Sequence, residues 1–474
     1  MPGYLLSLFL SALSGVIISE VVRRISQFMT QKQGEMRTGY QRRREEKVKN
    51  FAQLALQDPH FYEFLAWYHQ AELYQHDGIE YPAVAFPLLA EQDQANLHSV
   101  LAPWPAAAKF VSREEGDFAL PDERFLKQRK KLGTVENRQT YCLVRLESQR
   151  QPPRIHGGVI GYYEDNLATA DALEHELLCA FGKYRPKPNQ FKEFAARRLP
   201  YRNALLQFCR DRGITPLEYG KGRSAAIAVA TLTICRHADG KEYVAFLGVR
   251  SAKAAVSAHM LHVAPSGMFQ PSKDWSHNPK DKRYAEEWDI YHHIYRELAE
   301  ELFDLEPEKT PGDTPRRFYS IQDVAEMVEM IEAGKQDKPG AQVFVTAVMV
   351  NLLNLRPEVC TLLIIDDPTW YQRHDQAKDG CHPFKRNWEF ASDEELREKQ
   401  RKEARGKIFW LEPITHNGSP LTDADLHTTL GDQMKPTNFS IPGVVTFWFG
   451  MELFRQKLLK SAPPPQQQDT SSTT

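Results

Sequence analysis

The chain opens on a largely apolar run, "YLLSLFLSALSGVIISEVV", from Tyr4 to Val22, with one charge, Glu20, near its end. About twenty such residues in a helix can cross a bilayer. No cation precedes the run, whereas Arg23 and Arg24 follow it at once and "QRRREEKVK" keeps the chain basic afterwards. Positive charge stays on the cytoplasmic side, so the pattern predicts a single-pass membrane anchor with the bulk of the chain cytoplasmic. A signal peptide, which would carry its charge before the run, and a buried soluble helix are the alternatives. Gly3, Ser7, Ser11, Gly15 and Ser19 recur every four residues. On a helix they form a ridge of small side chains suited to self-association in a membrane, unless the spacing is chance in a Ser-rich span. A basic juxtamembrane stalk is expected over 23–56, with cations able to touch anionic lipid.

Residues 57–118 mix helical patches with Pro and aromatic residues, and the pattern gives them no role. A small α/β unit is expected over 119–215. "TYCLVRLES" alternates as a strand does, and Gly157–Gly158 reads as a turn before a helix from about Thr169. From residue 222 to 455 the apolar pattern is stronger. "AAIAVATLTIC" and "YVAFLGVRS" predict two strands around an Asp-Gly turn, and "HMLHVAPSGMFQP" a third. "AQVFVTAVMVNLL", "VCTLLIIDDP" and "GKIFWLEPI" are strand-like, and a helix is expected from about Pro442. The Pro- and Gln-rich tail, 461–474, predicts disorder.

Composition adds bounds. At 474 residues the chain is long enough for two or three domains. A net charge of -2 gives no global case for nucleic-acid binding. Basic runs such as "RKKLG" carry no interleaved aromatic platform. Six cysteines without a CxxC pair argue against a zinc knuckle and a disulfide framework.

The chemistry concentrates in "IYRELAEELFD", Ile294 to Asp304. With about 100° per residue, Glu300, Glu301, His293 and Asp304 fall within about 60° of Glu297, beside a separate apolar arc. Clustered carboxylates repel unless a cation lies among them, and hard oxygen donors suit Mg²⁺ or Mn²⁺. A solvated acidic face is the plain alternative. His293 with Glu297 reads more simply as a helix pair than as metal ligands, and His292 as a flanking residue. Glu389 and Glu412 are further candidates for a base.

"RELAEEL", Arg296 to Leu302, resembles the core of the Nudix box, G-x5-E-x7-R-E-U-x-E-E-x-G-U, where U is aliphatic. The "APSGMFQP" turn, with Ser266–Gly267 for the family's paired glycines, and the "GVRS" strand end resemble the entry to that box. The resemblance covers roughly 222 to 455. It implies an α/β fold, a Nudix-like α/β/α sandwich with a mixed sheet, here preceded by the smaller unit and the anchor. It also implies hydrolysis of a nucleoside-diphosphate-linked small molecule. Carried over, Glu297, Glu300 and Glu301 are metal ligands for Mg²⁺ or Mn²⁺, with one of them a possible base. Arg296 orients them, and Ser266 and Gly267 bind substrate. The longer string from Leu261 through Phe303 also looks like a divergent bacterial group of that family tied to nucleotide signalling and defence.

There are departures. Trp288 stands where the box has its first glutamate, between Glu287 and Asp289. Gly267 lies 29 residues before Arg296, about twice the family's spacing. Phe303 and Asp304 replace the late glycine and aliphatic residue, so the helix is expected to run on or to cap differently. These departures leave two readings open, a hydrolase and a catalytically weak nucleotide-sensing module. A purely structural membrane protein is the third.

Overall fold

The computed structural model describes residues 50–88, 97–105, 138–161, 170–221, 223, 225–250, 260–276, 278, 280–336, 338–385, 411–416 and 419–461. The expected anchor, its small-residue ridge, nearly all of the stalk, the tail beyond Ser461 and Glu389 lie outside them. Among the described residues no helix is long and apolar enough to cross a membrane.

The apolar runs become one mixed sheet. In chain order its strands are β1 (Ala83–Pro87), then, after the separate hairpin β2 (Gln139–Glu147) and β3 (Arg154–Gly161), β4 (Ala228–Arg236) and β5 (Tyr243–Val249). They continue with β6 (Leu261–Val263), β7 (Ser266–Met268), β8 (Ala341–Asn351), β9 (Arg356–Ile365) and β10 (Leu411–Pro413). The path across the sheet is β10-β5-β4-β9-β8-β1, with β6 on β5 and β7 on β4. The β4–β9 pair is parallel, with Glu358 opposite Ala228, and β8–β9 is antiparallel. Strand β9 is buried at every position, and its apolar run from Val359 is what a central strand covered on both faces requires.

Alternation along the strands feeds two cores. Leu232, Ile234, Leu362 and Ile364 point to one face, where they meet Phe447, Trp448 and Met451 of the helix Ile441–Ser461. Val229, Cys235, Val359 and Leu363 point to the other, against Ile294, Leu298 and Leu302. Burying each large apolar side chain stabilises by about 1.5–3 kcal/mol. The C-terminal helix is thus apolar because it covers a sheet.

Segments on either side of residue 222 share these cores. β1 extends the sheet by pairing with β8. The helices α1 (Pro59–His69) and α2 (Ala172–Tyr184) supply Phe61, Phe64, Leu177 and Phe181 to the first core. The β2–β3 hairpin supplies Tyr141, Leu143, Ile155 and Val159 to the second. It is tied to the sheet by Tyr141 N–H donating to Phe269 O at 2.8 Å and Leu143 N–H to Ala225 O at 2.8 Å.

Gly157–Gly158 differs from the expected turn: both residues lie inside β3. The reason is packing, since a Cβ on Gly157 would sit 2.8 Å from Trp288 Cζ2.

Candidate functional site

The "RELAEEL" segment lies on α3 (Ile290–Phe303). Asp289 caps its start, accepting from Tyr291 N–H at 2.9 Å. The helix does not run on without the box glycine. It ends at Phe303, and Asp304 takes the left-handed conformation at φ 54°, which Asp tolerates better than most residues. Lys385 completes the end: its N–H donates to Leu302 O at 2.8 Å and its ammonium lies 2.5 Å from Asp304 Oδ2.

Trp288, at the box's glutamate position, is core. Its ring stacks on Phe269 at 5.1 Å and its Nε1–H donates to Ala102 O at 2.8 Å. The neighbouring Glu287 is fully buried and braces the preceding loop. It accepts from Ser272 N–H at 3.0 Å, Trp275 Nε1–H at 2.6 Å and the Ser272 hydroxyl. His292 lies 3.4 Å from the same carboxylate, which makes it a structural residue.

The other box residues converge. Glu301, 1% exposed, accepts from Ser266 N–H at 2.8 Å and so anchors the turn between β6 and β7 to the helix. Glu297, 7% exposed, lies against Gly267, where a Cβ would fall 2.6 Å from its Oε1. Only glycine leaves that carboxylate room. Arg296 pairs with Glu297 and lies 3.5 Å from Glu300 Oε1, and it donates to Gln270 O at 2.9 Å. Burial alone would lower the Arg296 pKa, but the Glu297 and Glu300 carboxylates outweigh it and hold the guanidinium above its ordinary value. Burial and Arg296 hold His293 well below the ordinary imidazole range, so it is neutral and accepts from Arg296 at 3.3 Å.

Glu297, Glu300, Arg296, Ser266 and Gly267 line one cavity of about 640 Å³. Glu300 is the outermost, its side chain 30% exposed. Glu301 lies behind this wall, bound to the turn. The cavity also receives Arg250, Arg356 and Glu358 from the ends of β5 and β9, and His262 from β6. Segments before residue 222 reach it through Leu56, Arg138, Glu174 and Leu178. Burial pushes Glu358 up from 4.5 to about 7, with Arg356 and Arg250 pulling the other way. Burial, with Arg250 beside it, holds His262 down at about 3.

Sequence reading missed Arg356, Glu358 and His262. Glu358 had a signal, a carboxylate at the start of an otherwise largely apolar central strand, where charge is rare unless used. Glu412 lies on β10, which pairs with the far edge of β5, opposite Ala245.

The oxygen donors fit a hard divalent cation: two carboxylates share one cavity wall, a glycine leaves space beside one of them, and an arginine offsets their repulsion. Glu301 offers less, because Ser266 N–H already engages its Oε2. No family model matches this chain, and no curated protein matches it.

The elevated Glu358 has a testable consequence for stability. Its folded pKa, about 7, lies above the unfolded value of 4.5. The folded state therefore holds a proton that the unfolded state has lost between those values. Stability is full below pH 4.5, falls through that window, and levels off above about 7. A shift of this size corresponds to about 3 kcal/mol as an upper value. Glu358→Gln should flatten this part of the melting temperature against pH and raise it at pH 8. An unchanged slope would show that Glu358 titrates normally.

Proposed function

We propose that this chain is a Nudix-type hydrolase that cleaves a nucleoside-diphosphate-linked small molecule. The observation that carries the reading is the shared cavity wall of Glu297, Glu300, Arg296 and Ser266–Gly267 at the start of β7, faced by Arg250 and Arg356. A divalent cation, Mg²⁺ or Mn²⁺, held by Glu297 and Glu300 would neutralise phosphate charge and lower the pKa of a bound water.

The protein's own groups have separable roles. Arg296 fixes the rotamers of Glu297 and Glu300. Glu301 fixes the turn, so that the Ser266–Gly267 backbone approaches the carboxylates closely. Arg250 and Arg356 supply positive charge for phosphate oxygens. Glu358, with a pKa near neutrality, is suited to hold or accept a proton. Segments before residue 222 add a wall of their own, and substrate choice belongs with them. The apolar span 4–22, with its following arginines, makes this a membrane-anchored cytoplasmic enzyme in the same proposal.

The departures at Trp288 and Phe303 favour a second reading, a catalytically weak module that senses a nucleotide in a signalling or defence system. Trp288 is committed to the aromatic core and has no access to a phosphate.

One assay separates the two. The protein is incubated with nucleotide sugars, dinucleotide polyphosphates, NAD, ADP-ribose, nucleoside triphosphates and cyclic oligonucleotides, with Mg²⁺ or Mn²⁺ and with EDTA. The hydrolase reading expects turnover of one class that EDTA abolishes. Absence of turnover, with one compound still raising the melting temperature, selects the sensing module. Absence of both overturns the nucleotide site.

A further inference from the structure

A second cluster of metal-ligating side chains lies outside this cavity, on the helix α4 (Gln322–Gly334), the helix α5 (Pro368–Asp375) and the loop that follows. Asp323, His374 and Cys381 are all buried, and one ligand atom from each lies within 4.8 Å of the others; His382 holds both Asp323 oxygens, its N–H 3.0 Å from Oδ1 and its ring Nδ1 2.6 Å from Oδ2. Glu326 adds a fourth donor. Its Oε2 is 3.5 Å from His374 Nε2 and 3.8 Å from Cys381 Sγ, while its Oε1 is taken by Arg373. Ligand separations across a tetrahedral zinc site are about 3.3–3.8 Å.

The tautomer of His374 is the independent observation. Its Nδ1 lies 2.7 Å from His382 O, and a carbonyl only accepts, so Nδ1 carries the proton. In the neutral ring Nε2 then presents a lone pair. That atom is fully buried, makes no hydrogen bond, and faces the Glu326 carboxylate. A lone pair against an anion is unfavourable unless a cation, either a proton or a metal ion, lies between them. A proton donated from one imidazole nitrogen to a backbone carbonyl, with the other nitrogen directed at a cluster of anionic donors, is the arrangement that metal-bound histidines adopt.

We propose that His374 Nε2, Cys381 Sγ and Glu326, with an Asp323 oxygen released from His382, bind a structural divalent cation of borderline softness, with zinc the best fit. One sulfur, one nitrogen and two oxygens suit zinc, whereas Mg²⁺ and Ca²⁺ prefer oxygen alone. Binding displaces the thiol proton of Cys381 to solvent. The site fastens the loop after α5 to α4. From that loop Phe384 packs on Phe303, and Lys385 caps the helix that carries Glu297 and Glu300. The cation therefore supports the cavity wall from behind.

The test uses the whole protein, stripped with a chelator and titrated with Co²⁺ alone. The expected result is a sulfur-to-cobalt charge-transfer band with tetrahedral d–d bands, saturating at one equivalent and displaced by Zn²⁺. Cys381→Ser should lose the charge-transfer band. Cys179→Ser, which removes the thiol beside His175 on another helix, should keep it. Oxygen ligands at Glu297 and Glu300 give no such band, so the result is independent of the nucleotide reading. A missing band, or one that survives in Cys381→Ser, overturns the site and leaves a hydrogen-bonded cluster only. If Cys381→Ser does not fold, alkylation of the wild-type protein decides by peptide mapping. Zn²⁺ should slow labelling of Cys381 at least tenfold, and equal labelling with and without Zn²⁺ overturns the proposal.

Discussion

Glu300→Gln should lower metal-dependent hydrolysis by about two to four orders of magnitude while leaving the fold intact. The change keeps the shape of the side chain and removes its charge. Glu300 is the most exposed of the three box glutamates, and its Arg296 Nε contact is long, at 3.5 Å. Little stability rests on it, so an unchanged melting temperature is part of the expectation. Glu301→Gln is a less clean test. Glu301 holds the Ser266 turn through a buried hydrogen bond, and a loss of activity there would mix chemistry with positioning. The readout is turnover of the substrate class found in the panel, beside the wild type at saturating Mg²⁺. Full activity in Glu300→Gln would remove that carboxylate from the mechanism and move the assignment to the sensing module.

Arg296→Met should be the most destabilising single change at the site, by about 3–5 kcal/mol. The methionine fills much of the volume but leaves Glu297 buried without its guanidinium. The lost interactions include the ion pairs to Glu297 and Glu300 and the donations to Gln270 O and Met268 O. Those carbonyls belong to β7, which carries Ser266 and Gly267, and to the loop after it, so two walls of the cavity loosen together. Chemical denaturation measures the effect as a fall in the midpoint with an unchanged slope. Arg296→Lys should recover only part of the loss, because an ammonium cannot reach two carboxylates and two carbonyls with a planar fork. A loss below about 1 kcal/mol would place this network with ordinary surface ion pairs.

Much of the fold was legible in the chain. Strands β4, β5, β8 and β9 follow from continuous apolar runs of strand length, and the C-terminal helix from its long apolar face. The acidic helix was legible too, in its period, whereas its cap at Asp289 emerged only in the structure. The helix end was not. The absent box glycine left a longer helix or a different cap open, and the structure takes the second: Asp304 supplies the left-handed residue and Lys385 closes the last turn. Gly157–Gly158 misled for a related reason. Paired glycines are a turn signal locally, but here one of them makes room for Trp288, 131 residues away.

Sequence alone determined the alternation of the strands, the 3.6-residue face of Ile290–Phe303, and the run of charges that drew attention to Arg296, Glu297, Glu300 and Glu301. These are local properties, set by backbone periodicity and side-chain type. Tertiary structure alone decided how those residues divide the work. Glu301 is bound to Ser266, 35 residues earlier, and Glu297 is fitted against Gly267. It also brought Arg250, Arg356 and Glu358 to the same cavity and raised Glu358 toward neutrality. It set Asp323, Glu326, His374 and Cys381 side by side from two helices and a loop. Burial and the dielectric that comes with it depend on what packs over a group from distant parts of the chain. A pKa, a close approach or a set of metal donors therefore becomes defined only once the sheet and its two layers have assembled.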